Sequence, residues 1–383
     1  MVRFDFVIIN RSFWPIYPVI GEGLMRLAES LVPTRKVAVI TQDHSNINKS
    51  LKKFKRGIGV KFFLGWAISN SSSNFAIRIF DALFFMCWVL VVLIRTRPKK
   101  IYVSTDPPVL IPFIVAIYSK IMRVEYFYHL QDIHPEATNV VFKINYFLFS
   151  ILKKLDNFTI RHANLLITLN EQMKFEILNR SNIQKQISII ENPSVQFKNI
   201  SILKKKKGFS FTGNLGRLQR IPLLIEAIEK YLQRGGILEF AFAGEGIYAD
   251  HIYKLSTENS LVKYHGLVPS EDAVSISSSY EWALAPIDDQ ITRYAFPSKI
   301  SSYTCTGAKI LAICSEDTSV AKWVRVNHVG FVIKPTVDTI INFFFEIEKN
   351  NIDTSFIDME RKELKKNLSM NKFVNNIKSK IFP

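Results

Sequence analysis

The feature that most constrains this chain is an alternation that runs through its length twice. Short runs rich in Val, Ile and Phe, each the length of a strand, are separated by segments of helix length. In the first series strands are predicted at residues 3–10, 36–41, 60–64, 100–105, 124–129, 165–168 and 187–190, and helices over 22–32, 75–95, 109–122, 145–161 and 171–180. The strand runs are apolar on both faces, which predicts a parallel sheet covered by helices on each side. Asn192-Pro193-Ser194 and a charged run, Lys204 to Lys207, interrupt the pattern as a linker would. It then resumes, with strands at 208–213, 238–243, 261–264, 282–286, 309–313 and 329–333 and helices over 221–234, 247–258, 269–279, 298–305 and 318–326. Residues 336–382 read as wholly helical and basic. The fold class is therefore α/β. We expect two doubly wound, Rossmann-like domains, 1–195 and 208–350, facing a central cleft, and a helical tail, 351–383, packing back toward the first domain.

The 383 residues suffice for two domains, and 48% hydrophobic with 22% charged residues excludes a disordered or fibrous chain. Cys87, Cys305 and Cys314 are odd in number and form no C-x-x-C pair, which argues against a disulfide framework or structural zinc and for a reducing compartment. The net charge of +17 points to an anionic partner. Residues 1–195 hold 25 basic and 13 acidic side chains, residues 196–383 hold 25 and 20, so most of the excess lies in the first half. Nucleic acid is the weakest candidate, since no nucleic-acid module is visible and the aromatics read as core.

The opening Met1–Asn10 reads as a first strand, because Asp5 interrupts its apolar run as no signal peptide would. Ala82 to Ile94 contains no charge, and those 13 residues span only ~20 Å as a helix against ~30 Å of hydrocarbon. The run reads either as a core helix or as one whose outer face meets a membrane surface, flanked by Arg95, Arg97, Lys99 and Lys100.

Ligands of doubly wound domains sit beyond the carboxyl ends of the strands, where loop amides and helix N-termini converge. After the first strand come Gly21 and Gly23, either an anion-approaching glycine pair at a helix start or ordinary loop glycines. After strand 124–129 come His129, Asp132, His134 and Glu136, readable as a cluster that orients a sugar or acceptor, as a metal site of His129, Asp132 and His134, or as helix caps. The linker leads into Gly213-Asn214-Leu215-Gly216-Arg217 with Arg220, a strand–turn–helix with two cations at its mouth that suits a diphosphate; no Gly-Lys-Ser/Thr follows, so it is not a Walker A loop. Gly244-Glu245-Gly246 repeats the device. Pro297 is expected at a first helical position and Lys299 in the first turn, where the helix dipole disfavours a cation unless an anion is bound. Asp288-Asp289 lacks the D-x-D spacing of a metal-dependent nucleotide site.

In this order the motifs resemble retaining glycosyltransferases of the GT-B fold, in the large family four, most closely its bacterial surface-polysaccharide branch (O-antigen, capsule and exopolysaccharide). The resemblance covers nearly the whole chain. It rests on the Gly21/Gly23 loop, Gln131-Asp132-Ile133-His134-Pro135-Glu136, Glu191-Asn192-Pro193, Gly213-Asn214-Leu215-Gly216, Gly244-Glu245-Gly246, His265-Gly266, and Pro297-Ser298-Lys299 with Tyr303 and Gly307. It implies a nucleotide-diphosphate-sugar donor held by the C-terminal domain and a lipid-linked (polyprenyl diphosphate) glycan acceptor held by the N-terminal one. It also implies no metal or other cofactor, and a cytoplasmic, peripheral place on the inner face of the cell membrane. Donor contacts are expected from Gly21, Gly23, Gly213, Asn214, Arg217, Arg220, Gly244, Gly246, Pro297, Ser298, Lys299 and Ser302, and sugar or acceptor orientation from His129 and Asp132. The chain departs from the family where an Arg and a Lys commonly stand, here Asn214 and Gln219, and where two glutamates eight residues apart commonly stand, here Tyr294 and Ser302. Those departures keep two rivals open, a non-catalytic GT-B subunit and a sugar-nucleotide epimerase.

Overall fold

A computed structural model describes residues 3–69, 75–195, 205–357 and 361–383. It divides into two units, Met1–Asn192 with Asn371–Pro383, and Pro193–Met370.

The first unit holds strands β1 (Phe6–Ile9), β2 (Val37–Asp43), β3 (Lys61–Trp66), β4 (Lys100–Ser104), β5 (Glu125–His129), β6 (Leu165–Thr168) and β7 (Ile187–Ile189). Its helices are α1 (Ile20–Leu31), α2 (Ile47–Phe54), α3 (Phe75–Thr96), α4 (Leu110–Met122), α5 (Glu136–Val141), α6 (Tyr146–His162) and α7 (Glu171–Ser181). The sheet order is β3-β2-β1-β4-β5-β6-β7, and every pairing is parallel. Right-handed crossovers place α1 and α2 on one face and α3 to α7 on the other. On that second face α3 packs on α4, α4 on α6 and α6 on α7. The order reverses between β1 and β4, the topological switch point at which such sheets take ligands.

The second unit repeats the plan with β8 (Lys206–Thr212), β9 (Glu239–Ala243), β10 (Val262–Tyr264), β11 (Tyr280–Pro286), β12 (Lys309–Ile313) and β13 (Gly330–Ile333), in the parallel order β10-β9-β8-β11-β12-β13. Helices α8 (Ile221–Gln233), α9 (Ala249–Glu258), α10 (Ser270–Ser279), α11 (Lys299–Thr306), α12 (Ser319–Val326), α13 (Val337–Glu348) and α14 (Arg361–Asn367) belong to it. Its core is aromatic: Phe344 lies 4.7 Å from Phe209 and 5.1 Å from Phe240, ring centre to ring centre. The last helix, α15 (Met370–Ile381), returns to the first unit, where Phe382 packs edge-on to Phe6 at 5.3 Å.

Three expectations need correction. The segment 336–382 is not one helical stretch, since Lys349 ends α13 and a short 3-10 turn, Ser355–Ile357, separates it from α14. Helix α2 is absent from the sequence reading because INKSLKKF is short, lysine-rich and polar on average; its start signal is local, the Asn46 side chain accepting from Lys49 N–H at 3.2 Å. The helix expected over 75–95 is present as α3, but the uncharged run Ala82–Ile94 understates its apolar length. Asp81 is within α3, buried, and accepts from Gln42 Nε2 at 2.7 Å and Ser69 Oγ at 2.6 Å. Ile77–Thr96 is thereby long and apolar enough to cross a membrane by length and composition.

Candidate functional site

In the second domain the two glycine turns are built against each other. Gly244 has φ +137° and lies so close to the first turn that a Cβ there would stand 1.9 Å from Gly213 O; a Cβ at Gly246 would stand 2.4 Å from Leu215 O. Only glycine permits that approach. Gly213 N–H donates to Ala243 O at 2.9 Å, Leu215 N–H to Glu245 O at 2.8 Å, and Gly244 N–H to Gly266 O at 2.7 Å. These amides extend the sheet and are not available to a diphosphate, so the expected amide cradle is reduced and an anion at this edge needs a side-chain cation.

Lys299 supplies one. It opens α11, with Pro297 and Ser298 just outside the helix, so Pro297 is not the first helical residue as expected. Its Nζ lies 3.9 Å from the centre of the Phe211 ring and 3.7 Å from where a Gly213 Cβ would be. That nitrogen is buried and makes no hydrogen bond. Burial pulls its pKa down to about 7. An ammonium taken from water with only a ring face beside it is costly, and cation–π attraction returns only part of the cost. Tyr303 fixes this arrangement: its hydroxyl donates to Thr212 O at 3.0 Å and accepts from Thr212 N–H at 2.9 Å, tying α11 to the end of β8.

The other expected cations differ from Lys299. Arg220 donates from Nε to Ile287 O at 2.7 Å and pairs through Nη2 with Asp289 at 3.0 Å. Burial works to raise the Asp289 carboxyl, but Ser315, through N–H and hydroxyl, and Arg220 outweigh it and hold it below the usual range. Arg220 is thus committed to bracing the end of β11. Arg217 and Asn214 are exposed at the mouth of the turn. The Ser302 hydroxyl accepts from Val195 N–H at 3.2 Å, so it ties the start of this domain to α11.

In the first domain, loops after three strands meet at the switch point. Asp106 accepts from Ser12 N–H at 2.8 Å and pairs with Arg11 at 3.1 Å. Thr105 Oγ1 accepts from Gln131 N–H at 3.1 Å and Asp132 N–H at 3.3 Å. Burial, and then the like charge of Asp106, push the Asp132 carboxyl up to about 6. Asp132 is therefore a partly covered carboxylate that changes charge near neutral pH.

His129 corrects the sequence reading. It is fully buried, with the Tyr102 hydroxyl 2.5 Å from Nδ1 and the Gln131 amide 2.8 Å from Nε2. Burial lowers its pKa to about 3, so it stays neutral and serves the core. His134 Nδ1 meets Thr138 Oγ1 at 2.8 Å and, by burial and then the Arg180 charge, is pulled down to about 4. Among the described residues no group of three or more His, Cys, Asp or Glu side chains is placed to hold a metal. Gly21 serves a contact of its own loop: a Cβ would lie 2.7 Å from Trp14 N, and the next amide, Glu22 N–H, donates to Tyr17 O at 3.1 Å. Gly23 N–H donates to Val19 O at 3.0 Å, inside α1.

Sequence reasoning missed Arg180. Its guanidinium binds Glu136 Oε2 at 2.7 Å, His134 O at 2.8 Å and Asp156, whose other oxygen accepts from the Tyr128 hydroxyl at 2.7 Å. Glu136 is thus one end of a buried ionic brace under the Asp132 loop. Nothing in local spacing connects residues 136, 156 and 180.

No family model matches the chain. A curated protein of Pseudomonas aeruginosa named Probable glycosyltransferase WbjE is 22% identical over 257 residues, 63% of this chain and 64% of that protein, so the chain spans less than two thirds of that relative's length. HepE of Anabaena, solved in complex with UDP, superposes with a TM-score of 0.67 at 15% identity, over 98% of this chain and 99% of that one. Sucrose-phosphate synthase of Thermosynechococcus elongatus superposes with a TM-score of 0.72 at 10% identity, over 98% of each chain. The chain has the GT-B fold. Within that fold, Lys299 and the paired glycine turns stand at the carboxyl edge of the second sheet, and Asp132 at that of the first.

Proposed function

We propose that the chain is a retaining glycosyltransferase that moves a sugar from a nucleotide-diphosphate-sugar to a lipid-linked glycan in the assembly of a bacterial surface polysaccharide. The observation that carries this reading is the buried, unbonded ammonium of Lys299 beside the Gly213 turn. A leaving diphosphate gains negative charge as the glycosidic bond breaks, and a cation already desolvated and fixed at that edge stabilises the charge without reorganising. Arg217 is the second candidate, at the open side of the same turn. Asp132 orients the acceptor hydroxyl from the first domain. Support comes from the shared fold with UDP-bound HepE and the likeness to WbjE. Retention, the polyprenyl diphosphate carrier and a place on the cytoplasmic side of the membrane come from the family resemblance.

The test is calorimetric titration with UDP and other nucleoside diphosphates. Lys299→Ala is expected to weaken binding by ~1–3 kcal/mol, the range of a charge-assisted hydrogen bond. Unchanged affinity rejects the donor site. Activity is expected to survive excess chelator; loss with rescue by Mn²⁺ or Mg²⁺ rejects metal independence. Purified protein that neither hydrolyses nor transfers from any donor it binds points to a non-catalytic subunit, and an epimerised nucleotide sugar without acceptor points to an epimerase.

A further inference from the structure

Between Asp81 and Arg95, helix α3 is apolar all round. Its inner face, Phe85, Val89, Val92 and Leu93, is buried. Its outer face, Phe80, Leu83, Cys87, Val91 and Ile94, recurs every three or four residues, is exposed, and carries no charge. A surface helix normally turns polar residues outward, so an apolar outer stripe calls for a covering phase. The stripe continues on its neighbours. Ile121 and Met122 are exposed at the end of α4, and α6 opens with Tyr146 at 85% and Phe147 at 73% exposure, followed by Leu148 and Ile151. Thirteen of the 26 exposed large hydrophobic side chains among the described residues lie on these three helices and at Phe142 just before α6.

The charge of the same face says what covers it. The carboxylates of α3 and α6, Asp81 and Asp156, are buried and bonded inward, and α4 has none. Arg78, Arg95, Lys120, Lys154 and Arg161 are exposed on these helices, with no exposed carboxylate among them. The flank named from sequence is only partly available: Lys99 pairs with Asp5 at 2.7 Å, and Lys100 pairs with Glu125 at 3.2 Å and donates to Ile381 O at 2.9 Å.

We infer that the outer face of α3, α4 and α6 docks on an anionic phospholipid bilayer, with α3 lying in the interfacial plane. Apolar side chains ringed by cations match the acyl–headgroup boundary of such a surface. α3 lies along the surface and does not cross it, because its inner face is packed on β2, β3 and α4 and crossing would unpack the domain. The inference rests on the transfer reading for its purpose: each of these helices starts at the strand edge that carries Asp132, where a lipid-linked acceptor has to arrive.

The test is sedimentation of the full chain with phosphatidylcholine vesicles, with and without phosphatidylglycerol. Binding is expected to be at least about tenfold stronger with phosphatidylglycerol and to be reversed by salt. The triple variant Lys120→Glu, Lys154→Glu, Arg161→Glu is expected to lose about tenfold or more, and Phe80→Ser with Phe147→Ser to weaken binding at low salt as well. Both sets are expected to keep the wild-type UDP affinity, so loss of UDP binding by the wild type reports failure of the transfer reading separately. A folded protein that ignores both vesicle types overturns the inference. So does a stable dimer in solution that Phe147→Ser dissociates, and so does retention in vesicles through alkaline carbonate, which marks a spanning helix.

Discussion

The first domain turns α3, α4 and α6 outward with apolar stripes and cations only, whereas in the second domain α8, α9 and α10 carry exposed carboxylates. On α8, Lys230 pairs with Glu226 at 2.7 Å, on α9, Lys254 pairs with Glu258 at 3.7 Å, and α10 opens with Glu271 and Asp272. The interiors differ in the opposite sense. In the first domain the buried guanidinium of Arg180 is paired through both Nη atoms with Glu136, Asp156 and His134 O, and only its Nε is left without a partner. In the second the buried ammonium of Lys299 makes no hydrogen bond at all. A buried charge held by opposite charges braces the structure around it; one with no such partner weakens its own fold and is explained by what it binds. The two sheets share a plan, and their roles separate in where each leaves charge or apolar surface unanswered.

The largest expected effect tests the paired side. Arg180→Leu leaves the Asp156 carboxylate buried without a cation and Glu136 with Lys153 alone, at 3.5 Å, and is expected to cost ~3–5 kcal/mol, read by thermal or urea unfolding. Lys299→Met is the control from the other domain. It removes a buried charge that has no partner, so stability is expected to hold or rise, while UDP affinity falls by the ~1–3 kcal/mol expected of Lys299→Ala. Equal destabilisation by the two variants would erase the distinction between brace and binding group.

That distinction was only half legible in the sequence. Strands such as Phe6–Ile9 and Lys309–Ile313 were plain because a parallel strand buried on both faces must be continuously apolar. Lys299 was legible too, since a lysine in a first helical turn opposes the helix dipole and demands a reason. Arg180 was not, because its partners lie 24 and 44 residues away and only the fold joins them. His129 misled for a related reason. A polar residue at a strand's carboxyl end signals chemistry, but here Tyr102 from the neighbouring strand draws the ring into the core. The glycine turns were located correctly, yet their amides donate to the carbonyls of Ala243, Glu245 and Gly266, which spacing alone does not reveal.

The Lys299 proton sharpens the comparison further. Its folded pKa of about 7 lies below the ordinary 10.5. Between those values the unfolded chain holds the proton and the folded one does not, so this residue makes stability rise with pH across that window. Diphosphate binding needs the ammonium, so affinity is expected to fall above pH 7, by up to about tenfold per unit where the complex keeps the proton. Titrations in buffers of different ionisation enthalpy should show proton uptake on binding. Comparison with Lys299→Met separates the lysine from titration of the nucleotide itself, and parallel pH profiles for the two proteins would remove Lys299 from the site.

The smallest expected effect concerns a group in the first domain that resembles Lys299, a carboxyl kept near its titration point. Burial and Asp106 raise Asp132 from the ordinary 3.8 to about 6. The folded protein therefore holds a proton that the unfolded chain has released between those values. The stability this gives is full below the unfolded value and is lost as pH rises through 6. At neutral pH Asp132 is a charge the fold disfavours, and Asp132→Asn is expected to raise unfolding stability there by about 1–2 kcal/mol, with little change near pH 4. If the carboxylate orients an acceptor hydroxyl, the same substitution lowers transfer and removes a pH dependence centred near 6. UDP affinity is expected to be untouched, because the donor groups lie in the other domain. A variant more stable at neutral pH yet fully active would make the raised carboxyl a consequence of the Thr105 and Asp106 loop geometry alone, and the acceptor assignment would pass to other residues of that edge.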